Sequence, residues 1–493
     1  MPSDATAGRF LRSALTEESP YLNIPAARSW LADRAKATVL NVEPIPFAAL
    51  AEWAFDDATG DLVHRSGRFF AIRGIRIAHD AAPVPKWEQP IIDQPEIGIL
   101  GIITREIDGR LYFLMQAKAE PGNILPVQLT TTVQATRSNY TQVHRGIRPK
   151  YIEYFLERGK ANVLIDQLQF EQGAAFLRKR NRNMVVEVAA DLPAEDDHQW
   201  FTLGQIKRLL TVPNLVSMDA RTVLSCIPLA ARGECAGGPS DLLDGAHDER
   251  ADLGDFPRAV LESMLERQRT RHSDDAVVGW LSELKSRCQL SIERVGLREL
   301  ARWRRGESEI AHDGGRYFQV MAVRVEANTR EVRRWDQPLV RAVERGLIAL
   351  IVKRIDGTLH ALVQGKVEPG NLDAVLVGPT VQCALGFERL TDRASWPPFV
   401  DVILNAPPRS VRYSAVQSEE GGRFYHMEND YRIVEIASDE LDDVPEDYLW
   451  ITLRQLNDLL RYGFVNVEAR SLSACLSLTT SPAARGGASP CTY

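Results

Sequence analysis

Alternating apolar and polar positions predict paired β-strands in both halves of the chain. Two apolar segments flank an Asp-Gly pair in each half: residues 99–105 and 111–116 around Asp108-Gly109, and residues 347–354 and 359–364 around Asp356-Gly357. An Asp-Gly pair between two strand-forming segments favours a tight turn, because Gly adopts positive φ without steric cost. The pattern therefore predicts one β-hairpin in each half.

Further segments predict a mixture of strands and helices. Strand patterns occur at residues 38–42, 69–77, 97–105, 111–119, 130–134, 163–170 and 183–190, and helical patterns at residues 29–36, 46–53 and 201–210. Thr202 is suited to cap the last helix, because its hydroxyl oxygen accepts a hydrogen bond from a backbone N–H that lacks a helical partner. A majority of strands with a few packed helices indicates the α+β class.

An eight-residue motif occurs twice, 248 residues apart. The two copies are Gln116-Ala-Lys118-Ala-Glu120-Pro121-Gly122-Asn123 and Gln364-Gly-Lys366-Val-Glu368-Pro369-Gly370-Asn371. The same offset relates a second motif, Gln-x-Glu-x-Gly-x-x-Phe, which begins at Gln169 and again at Gln417. A period of this length is too long for a solenoid repeat and indicates two whole duplicated domains.

The composition of the connecting segments predicts the domain boundaries. We expect a loose N-terminal arm at residues 1–25, repeat 1 at 26–230, a flexible linker at 231–255, repeat 2 at 256–480 and a tail at 481–493. The linker is predicted because glycines and acidic residues replace the apolar positions there.

Composition excludes several classes of protein. The net charge of −7 gives no reason to expect nucleic acid or an anionic membrane as partner. No apolar segment reaches the roughly 18 residues needed to span a bilayer, and the first 20 residues do not resemble a signal peptide. The six cysteines form no CxxC pair. We therefore expect a cytoplasmic protein with reduced thiols.

The duplicated motif also predicts a lined pocket. Alternate residues of a strand share a face, so Gln116, Lys118 and Glu120 are expected to point the same way. A structural turn needs only the Pro-Gly pair that follows, whereas amide, ammonium and carboxylate groups are chemically useful together. Their repetition in the second half favours a functional role over a solvated edge strand.

The segment after Gln169 is the second polar region. It contains a basic run at residues 178–182, which is either a solvated face or a clamp for a diphosphate, since guanidinium and ammonium groups both suit phosphate oxygens. Between the two regions lies His144, a candidate acid or base.

Several catalytic motifs are absent from the sequence. There is no GxGxxG after a strand, no Walker A loop, no GxSxG and no HExxH. We therefore expect chemistry that needs no nicotinamide cofactor and no metal ion.

The duplicated motifs and the Arg-Asn-Arg-Asn183 run resemble the NDP-hexose 2,3-dehydratases of deoxysugar biosynthesis in antibiotic-producing actinomycetes. The resemblance covers about residues 20–480. It implies two tandem Nudix-like domains, a homodimer, a dTDP-4-keto-6-deoxyglucose substrate and an NADPH-dependent ketoreductase that acts on the product. The carboxylate box of Nudix hydrolases is missing, because Arg298-Glu299-Leu300 continues as Ala-Arg-Trp303. Diphosphate hydrolysis is therefore not expected.

The dehydration implied by the resemblance needs a base, a donor at the ketone oxygen and a proton for the leaving hydroxyl. The catalytic candidates are Lys118, Glu120, Glu171 and His144 in the first half, and Lys366, Glu368 and Glu419 in the second. The substrate-binding candidates are Gln116, Asn123, Gln134, Tyr140, Arg145, Gln169, Gly173, Arg178, Lys179 and Arg182 in the first half, with Gln364, Asn371, Gln382, Gln417, Gly421, Tyr425 and His426 in the second.

Two other functions remain open at this point. One is a nucleotide-sugar epimerase or hydrolase on the same scaffold, and the other is a non-catalytic protein that binds sugar nucleotides. The choice of pocket is also open. The Arg178-Lys179 pair slightly favours the first half, because a phosphate clamp needs fixed cations.

Overall fold

The computed structural model describes residues 4–80, 84–141, 147–189, 191–229, 253–265, 269–329, 332–384 and 396–478. The predicted linker lies outside the described residues except at 253–255, and the predicted tail lies wholly outside them. The candidates His144 and Arg145 also lie outside them.

The helices of the first half are Asp4–Leu15 (α1), Ile24–Ala37 (α2), Arg137–Tyr140 (α3), Glu153–Leu156 (α4), Leu203–Leu209 (α5) and Met218–Ser225 (α6). Its strands are Leu40–Ile45 (β1), Trp53–Phe55 (β2), Leu62–His64 (β3), Ala71–His79 (β4), Lys86–Asp93 (β5), Gly98–Ile107 (β6), Arg110–Lys118 (β7), Gln128–Thr130 (β8), Val133–Ala135 (β9), Asn162–Phe170 (β10), Arg180–Glu187 (β11) and His198–Thr202 (β12).

The second half repeats this order. Its helices are Asp255–Leu265 (α7), Asp274–Arg287 (α8), Val400–Leu404 (α9), Leu453–Arg461 (α10) and Val467–Cys475 (α11). Its strands are Leu290–Val295 (β13), Trp303–Arg305 (β14), Glu309–His312 (β15), Phe318–Ala327 (β16), Arg334–Ala342 (β17), Gly346–Ile355 (β18), Thr358–Val367 (β19), Val375–Gly378 (β20), Val381–Ala384 (β21), Val411–Ser418 (β22), Glu428–Glu435 (β23) and Tyr448–Thr452 (β24).

Each half builds one large mixed sheet. The strand order is β10-β11-β6-β7-β12 in the first sheet, with β8 paired to β7 and β9 to β6. The order β22-β23-β18-β19-β24 repeats it, with β20 on β19 and β21 on β18. Strands β6 and β11 are parallel, as are β18 and β23, whereas the other pairs are antiparallel. The mixed sheets and flanking helices confirm the α+β class and the duplication.

Each half also contributes to a smaller five-stranded sheet, and here the halves exchange strands. Strand β1 of the first half pairs with β16 of the second, and β13 of the second half pairs with β4 of the first. The exchange makes the two repeats mutually dependent, because each small sheet would otherwise lose an edge strand.

The local predictions based on turn and cap chemistry are confirmed. Asp108 and Gly109 have φ of 49° and 75°, and Asp356 and Gly357 repeat these values at 49° and 84°. The side chain of Thr202 caps α5 by accepting a hydrogen bond from Gln205 N. These features depend on a few neighbouring residues, which is why the sequence predicts them.

The N-terminal arm differs from the prediction. Residues 4–15 form helix α1, whose Phe10, Leu11 and Ala14 are buried in a core that both halves share. Ser13 fastens the helix, because its hydroxyl donates to Leu111 O and accepts from Leu203 N. Residues 4–15 of the expected loose arm are thus a helix packed into this core.

The two Pro-Gly turns of the duplicated motif pack against the opposite half. Gly122 N donates to Gly421 O at 2.7 Å, and Gly370 N donates to Gly173 O at 2.6 Å. A Cβ on Gly122 would lie 1.6 Å from Phe424 O, and a Cβ on Gly370 would lie 1.8 Å from Phe176 O. Neither Gly122 nor Gly370 has positive φ. Close approach of backbone, and not turn conformation, therefore requires glycine at both positions.

Two buried arginines strengthen the same contact. Arg221 donates to Ser418 O at 2.8 Å, and Arg470 donates to Phe170 O at 2.6 Å, so each guanidinium reaches the opposite half. Both side chains are fully buried. Burial of a guanidinium destabilises the fold unless carbonyl oxygens accept hydrogen bonds from it. Loss of this contact would therefore leave a buried charge with unsatisfied donors and lower the free energy of unfolding.

We expect Gly370→Ala to destabilise the protein by about 3 kcal/mol or more, because the added methyl overlaps a carbonyl oxygen in the opposite half. Gly279→Ala is the matched control, since its added Cβ would have no atom within 4 Å apart from its chain neighbours and the backbone of its own helix, α8. The control should gain up to about 1 kcal/mol from the better helix propensity of Ala. Chemical denaturation measures both variants, and a change below about 1 kcal/mol in Gly370→Ala would contradict the packing described.

Candidate functional site

A cavity of about 480 Å³ lies in the first half, and residues of both halves line it. We call it the first-half cavity. Its polar first-half residues include Lys118, Glu120, Gln134, Lys179, Asn181 and Asp219, and its aromatic residues there are Trp53, His64, Phe69 and Phe70. The second half contributes Arg334, Trp335, Asp336, Gln337, Glu420, Gly422 and Arg423. A volume of this size falls in the range of small-ligand sites.

Lys118, Glu120 and Gln134 come together in this cavity. Lys118 is the last residue of β7, and its Nζ lies 2.9 Å from Glu120 Oε1 and 2.8 Å from Gln134 Oε1. The turn that follows β7 carries Glu120 back beside the ammonium. The structure therefore juxtaposes three residues that the sequence predicted for the site.

Lys179 and Asn181 extend this polar wall. Lys179 Nζ donates to the backbone oxygen of Glu96, and Asn181 Nδ2 donates to Glu171 Oε1 at 2.7 Å. Burial lowers the pKa of Lys179 to about 8, although the carboxylates of Glu171 and Glu420 oppose this shift. The side chain can therefore act as an ammonium at neutral pH.

Buried carboxyl groups surround the cations. Burial raises the pKa of Glu171 to about 7, and the charge of Glu420 adds to this effect. The pKa of Asp219 lies well above its usual range for the same two reasons. Glu171 Oε2 has no hydrogen-bond partner among the described residues. The cluster can thus hold protons near neutral pH, which acid–base chemistry requires.

Aromatic rings also line the cavity. Ring centroids lie 4.7 Å apart for Trp53 and Phe70 and 4.7 Å apart for His64 and Phe69. The guanidinium of Arg423 lies 4.1 Å from the centroid of Phe70. Burial lowers the pKa of His64, which favours its neutral form. This wall offers flat apolar surface for a planar base or a sugar face.

The second half pairs its corresponding polar groups with one another. Glu368 accepts from Gln382 Nε2 at 2.9 Å and from Asn371 Nδ2 at 3.3 Å, while Lys366 donates to the backbone oxygen of Gln382 at 3.4 Å. Glu419 accepts from Asn429, Tyr431 and Gln172. At the 248-residue offset, Lys179, Glu420 and Arg423 correspond to Met427, Gln172 and Ala175. The corresponding site beside Lys366 and Glu368 therefore has no equivalent of these three ionisable groups.

Four glutamines that the sequence predicts for the pocket form hydrogen bonds elsewhere in the structure. Gln116 donates to Asp197 and Gln364 to Asp447, each at 2.9 Å, so neither continues the row that begins with Lys118. Gln169 donates to Leu460 O, and Gln417 donates to Leu210 O, each across the boundary between the halves. The amides of Gln169 and Gln417 satisfy buried backbone carbonyls. None of the four glutamines lines the first-half cavity.

The three basic residues predicted to form a diphosphate clamp lie in different surroundings in the structure. Arg178 is exposed, Arg182 pairs with Asp166, and only Lys179 lines the first-half cavity. Tyr140 packs against an apolar cluster beside the sheet and does not line the cavity.

The remaining candidates lie at the contact between the halves. Asn371 Oδ1 lies against Gly173, and Asn123 Oδ1 lies against Gly421, so close that a Cβ on either glycine would clash. Tyr425 stacks on His426, with ring centroids 4.1 Å apart. His426 is exposed. None of these six residues lines the first-half cavity.

Sequence reasoning missed the contribution of the second half to this cavity. The signal was a difference between the repeats, since Glu420-Gly-Gly-Arg423 corresponds to Gln172-Gly-Ala-Ala175. It also missed Asp219, which lies in α6 about 100 residues from the duplicated motif. Such contacts depend on which strands pair, and a periodic pattern does not contain that information.

The described ranges contain no group of three or more His, Cys, Asp or Glu residues that could hold a metal ion. Among the same residues, none of the helices combines the length and the apolar composition that a membrane span needs.

Comparison with known proteins identifies the family. The model described as NDP-hexose 2,3-dehydratase matches the chain twice, at residues 25–227 and 274–476. A dTDP-4-dehydro-6-deoxy-α-D-glucopyranose 2,3-dehydratase of Saccharopolyspora spinosa is 47% identical over 469 residues, which cover 95% of this chain and 94% of that protein. Proteins of the same name are 43% identical in Amycolatopsis orientalis (98% and 96% covered) and 44% identical in Streptomyces violaceoruber (91% and 96%). The chain belongs to the NDP-hexose 2,3-dehydratase family, which makes it a hydro-lyase.

Proposed function

We propose that the protein dehydrates dTDP-4-keto-6-deoxy-D-glucose to a 3,4-diketo-2,6-dideoxy sugar nucleotide, and that the reaction takes place in the first-half cavity. The observation that carries the choice of cavity is the cluster of Lys118, Glu120 and Gln134 facing Glu420 and Arg423. The substrate is inferred from the names of the relatives.

The reaction begins at the acidic proton beside the ketone. A base removes the C3 proton, and the electron pair moves to form the C3–C4 enolate. The electron pair of the enolate then forms the C2–C3 double bond. At the same time the C2 oxygen is protonated and leaves as water. The resulting enol takes a proton at C2 and loses its hydroxyl proton, which gives the diketone.

The cavity provides groups for the first step. We assign the base to Glu120, whose Oε1 lies 2.9 Å from the ammonium nitrogen of Lys118. We assign the stabilisation of the enolate oxygen to Lys118, because a fixed cation at a developing negative charge typically accelerates such steps by 10²–10³. The amide of Gln134 holds the ammonium in place.

The rest of the cavity suits the nucleotide. Lys179 and Arg423 provide cations for the diphosphate, and Trp53 and Phe70 provide faces for stacking of thymine. A role in deoxysugar and antibiotic biosynthesis, a Nudix-like relationship of the two halves, a homodimeric state, a cytoplasmic location and a reducing partner that consumes the diketone belong to the same proposal.

A coupled assay tests the function. The wild-type protein, supplied with the 4-keto sugar nucleotide, a 3-ketoreductase and NADPH, should yield a 2,6-dideoxy product. A product that retains the C2 oxygen would indicate an epimerase, release of a nucleotide would indicate a hydrolase, and binding without turnover would indicate a scaffold protein. Each of these three results contradicts the proposal.

A matched pair of variants tests the choice of cavity. Lys118→Met should lower kcat about 100-fold or more, because it removes the cation at the enolate oxygen. Lys366→Met, the same change at the corresponding position of the second half, should keep kcat within about threefold. Single-turnover rates distinguish the two, and the reverse pattern would assign the reaction to the second half.

Activity should also depend on the protonation of Lys179. Its pKa of about 8 means that the ammonium loses its proton as the pH rises through 8. Since a diphosphate binds the cation and not the amine, kcat/KM should fall between pH 8 and pH 9.5. Lys179→Arg should remove this decrease, because guanidinium stays protonated in that range. An identical pH profile in both proteins would exclude Lys179 as the titrating group.

A further inference from the structure

The turn Glu420–Arg423 belongs to the second repeat but lines the cavity of the first. Two backbone hydrogen bonds fix it there: Gly122 N donates to Gly421 O at 2.7 Å, and His426 N donates to Gly122 O at 2.9 Å. The position of the turn is therefore set by the same glycine that follows Glu120 and Pro121 in the duplicated motif.

Two carboxyl groups face the same small volume beside this turn. A Cβ on Gly422 would lie 3.0 Å from Glu420 Oε1 and 3.7 Å from Glu120 Oε2. Because Gly422 has no side chain, this space is free for a ligand. A ligand there would lie close to both carboxyl groups. In the other repeat, Ala174 occupies the position of Gly422.

The two repeats show that the fold does not need a carboxyl group at position 420. Its counterpart Gln172 occupies the equivalent turn and donates to Glu419 Oε2 at 2.9 Å. The shared backbone contacts are present at both turns, so an amide is sufficient for the structure. The fold therefore does not explain why position 420 carries a carboxyl group, and a role in the reaction does.

The surroundings of Glu420 favour a carboxyl that carries a proton. Burial raises its pKa, and the charge of Glu120 raises it further, although Arg423, Lys179 and Lys118 oppose these effects. A carboxyl group with a raised pKa beside a second carboxyl group is an arrangement that can divide acid and base roles within one cavity.

We propose that Glu420 is the catalytic acid that protonates the departing C2 hydroxyl, opposite the base Glu120. This assignment rests on the proposed function. In the step, the O–H bond of Glu420 breaks as the C2–O bond breaks, water leaves, and the C3–C4 enolate pair becomes the C2–C3 double bond. Glu420 is left as a carboxylate, and the C3 proton remains on Glu120.

The assignment separates two events that can be measured independently. In D₂O, removal of the C3 proton introduces deuterium into recovered substrate, whereas loss of the C2 oxygen appears as dideoxy product in the coupled assay. Glu420→Gln, which copies Gln172, should lower product formation about 100-fold or more, in line with the contribution of a general acid. It should retain C3 exchange at a rate at least equal to that of the wild type.

Glu120→Gln provides the comparison, since loss of the base should abolish both exchange and product. If Glu420→Gln lost exchange and product together, or kept product formation within about threefold, the assignment would be overturned. If this variant did not bind dTDP, the same two rates in Glu420→Asp would decide, with product loss exceeding exchange loss expected. A wild-type protein that exchanges C3 but forms no dideoxy product would instead contradict the proposed function.

Discussion

The structure depends on a backbone contact that is made twice, once by each half of the chain. The Pro-Gly turn of one repeat lies against the glycine turn of the other, with amide-to-carbonyl distances of 2.7 Å at Gly122 and 2.6 Å at Gly370. No side chain fits between the two turns. Phe176 and Phe424, which follow these glycine turns, meet edge to face with ring centroids 5.8 Å apart. The duplicated motifs therefore persist in both halves for a reason that is partly structural.

The same contact explains how one cavity comes to contain residues of both repeats. Because each turn crosses into the opposite half, a change in the turn of one repeat alters the cavity of the other. The two turns differ in their residues. Glu420, Gly422 and Arg423 line the first-half cavity, whereas Gln172 and Ala175 occupy the corresponding positions of the other turn. A symmetrical frame thus supports an asymmetrical set of ionisable groups.

The sequence predicted features that depend on neighbouring residues. The Asp-Gly hairpins, the cap at Thr202 and the proximity of Lys118 to Glu120 follow from turn chemistry and from the period of a strand. It did not predict the exchange of β1 and β13 between the small sheets, because alternation shows which residues share a face and not which strand lies alongside. For the same reason the sequence pattern favours a substrate-binding role for Gln169 and Gln417, whereas each amide satisfies a backbone carbonyl in the opposite half.

The hexose is proposed to lie in the first-half cavity, between residues supplied by the two halves. The most direct measurement is a crystal structure of the protein with a dTDP-hexose that lacks the 4-keto group and therefore does not react. We expect C3 of the hexose to lie within about 4 Å of a Glu120 oxygen and the C2 oxygen to lie within hydrogen-bond distance of Glu420. A hexose bound only beside Lys366 and Glu368 would contradict this placement.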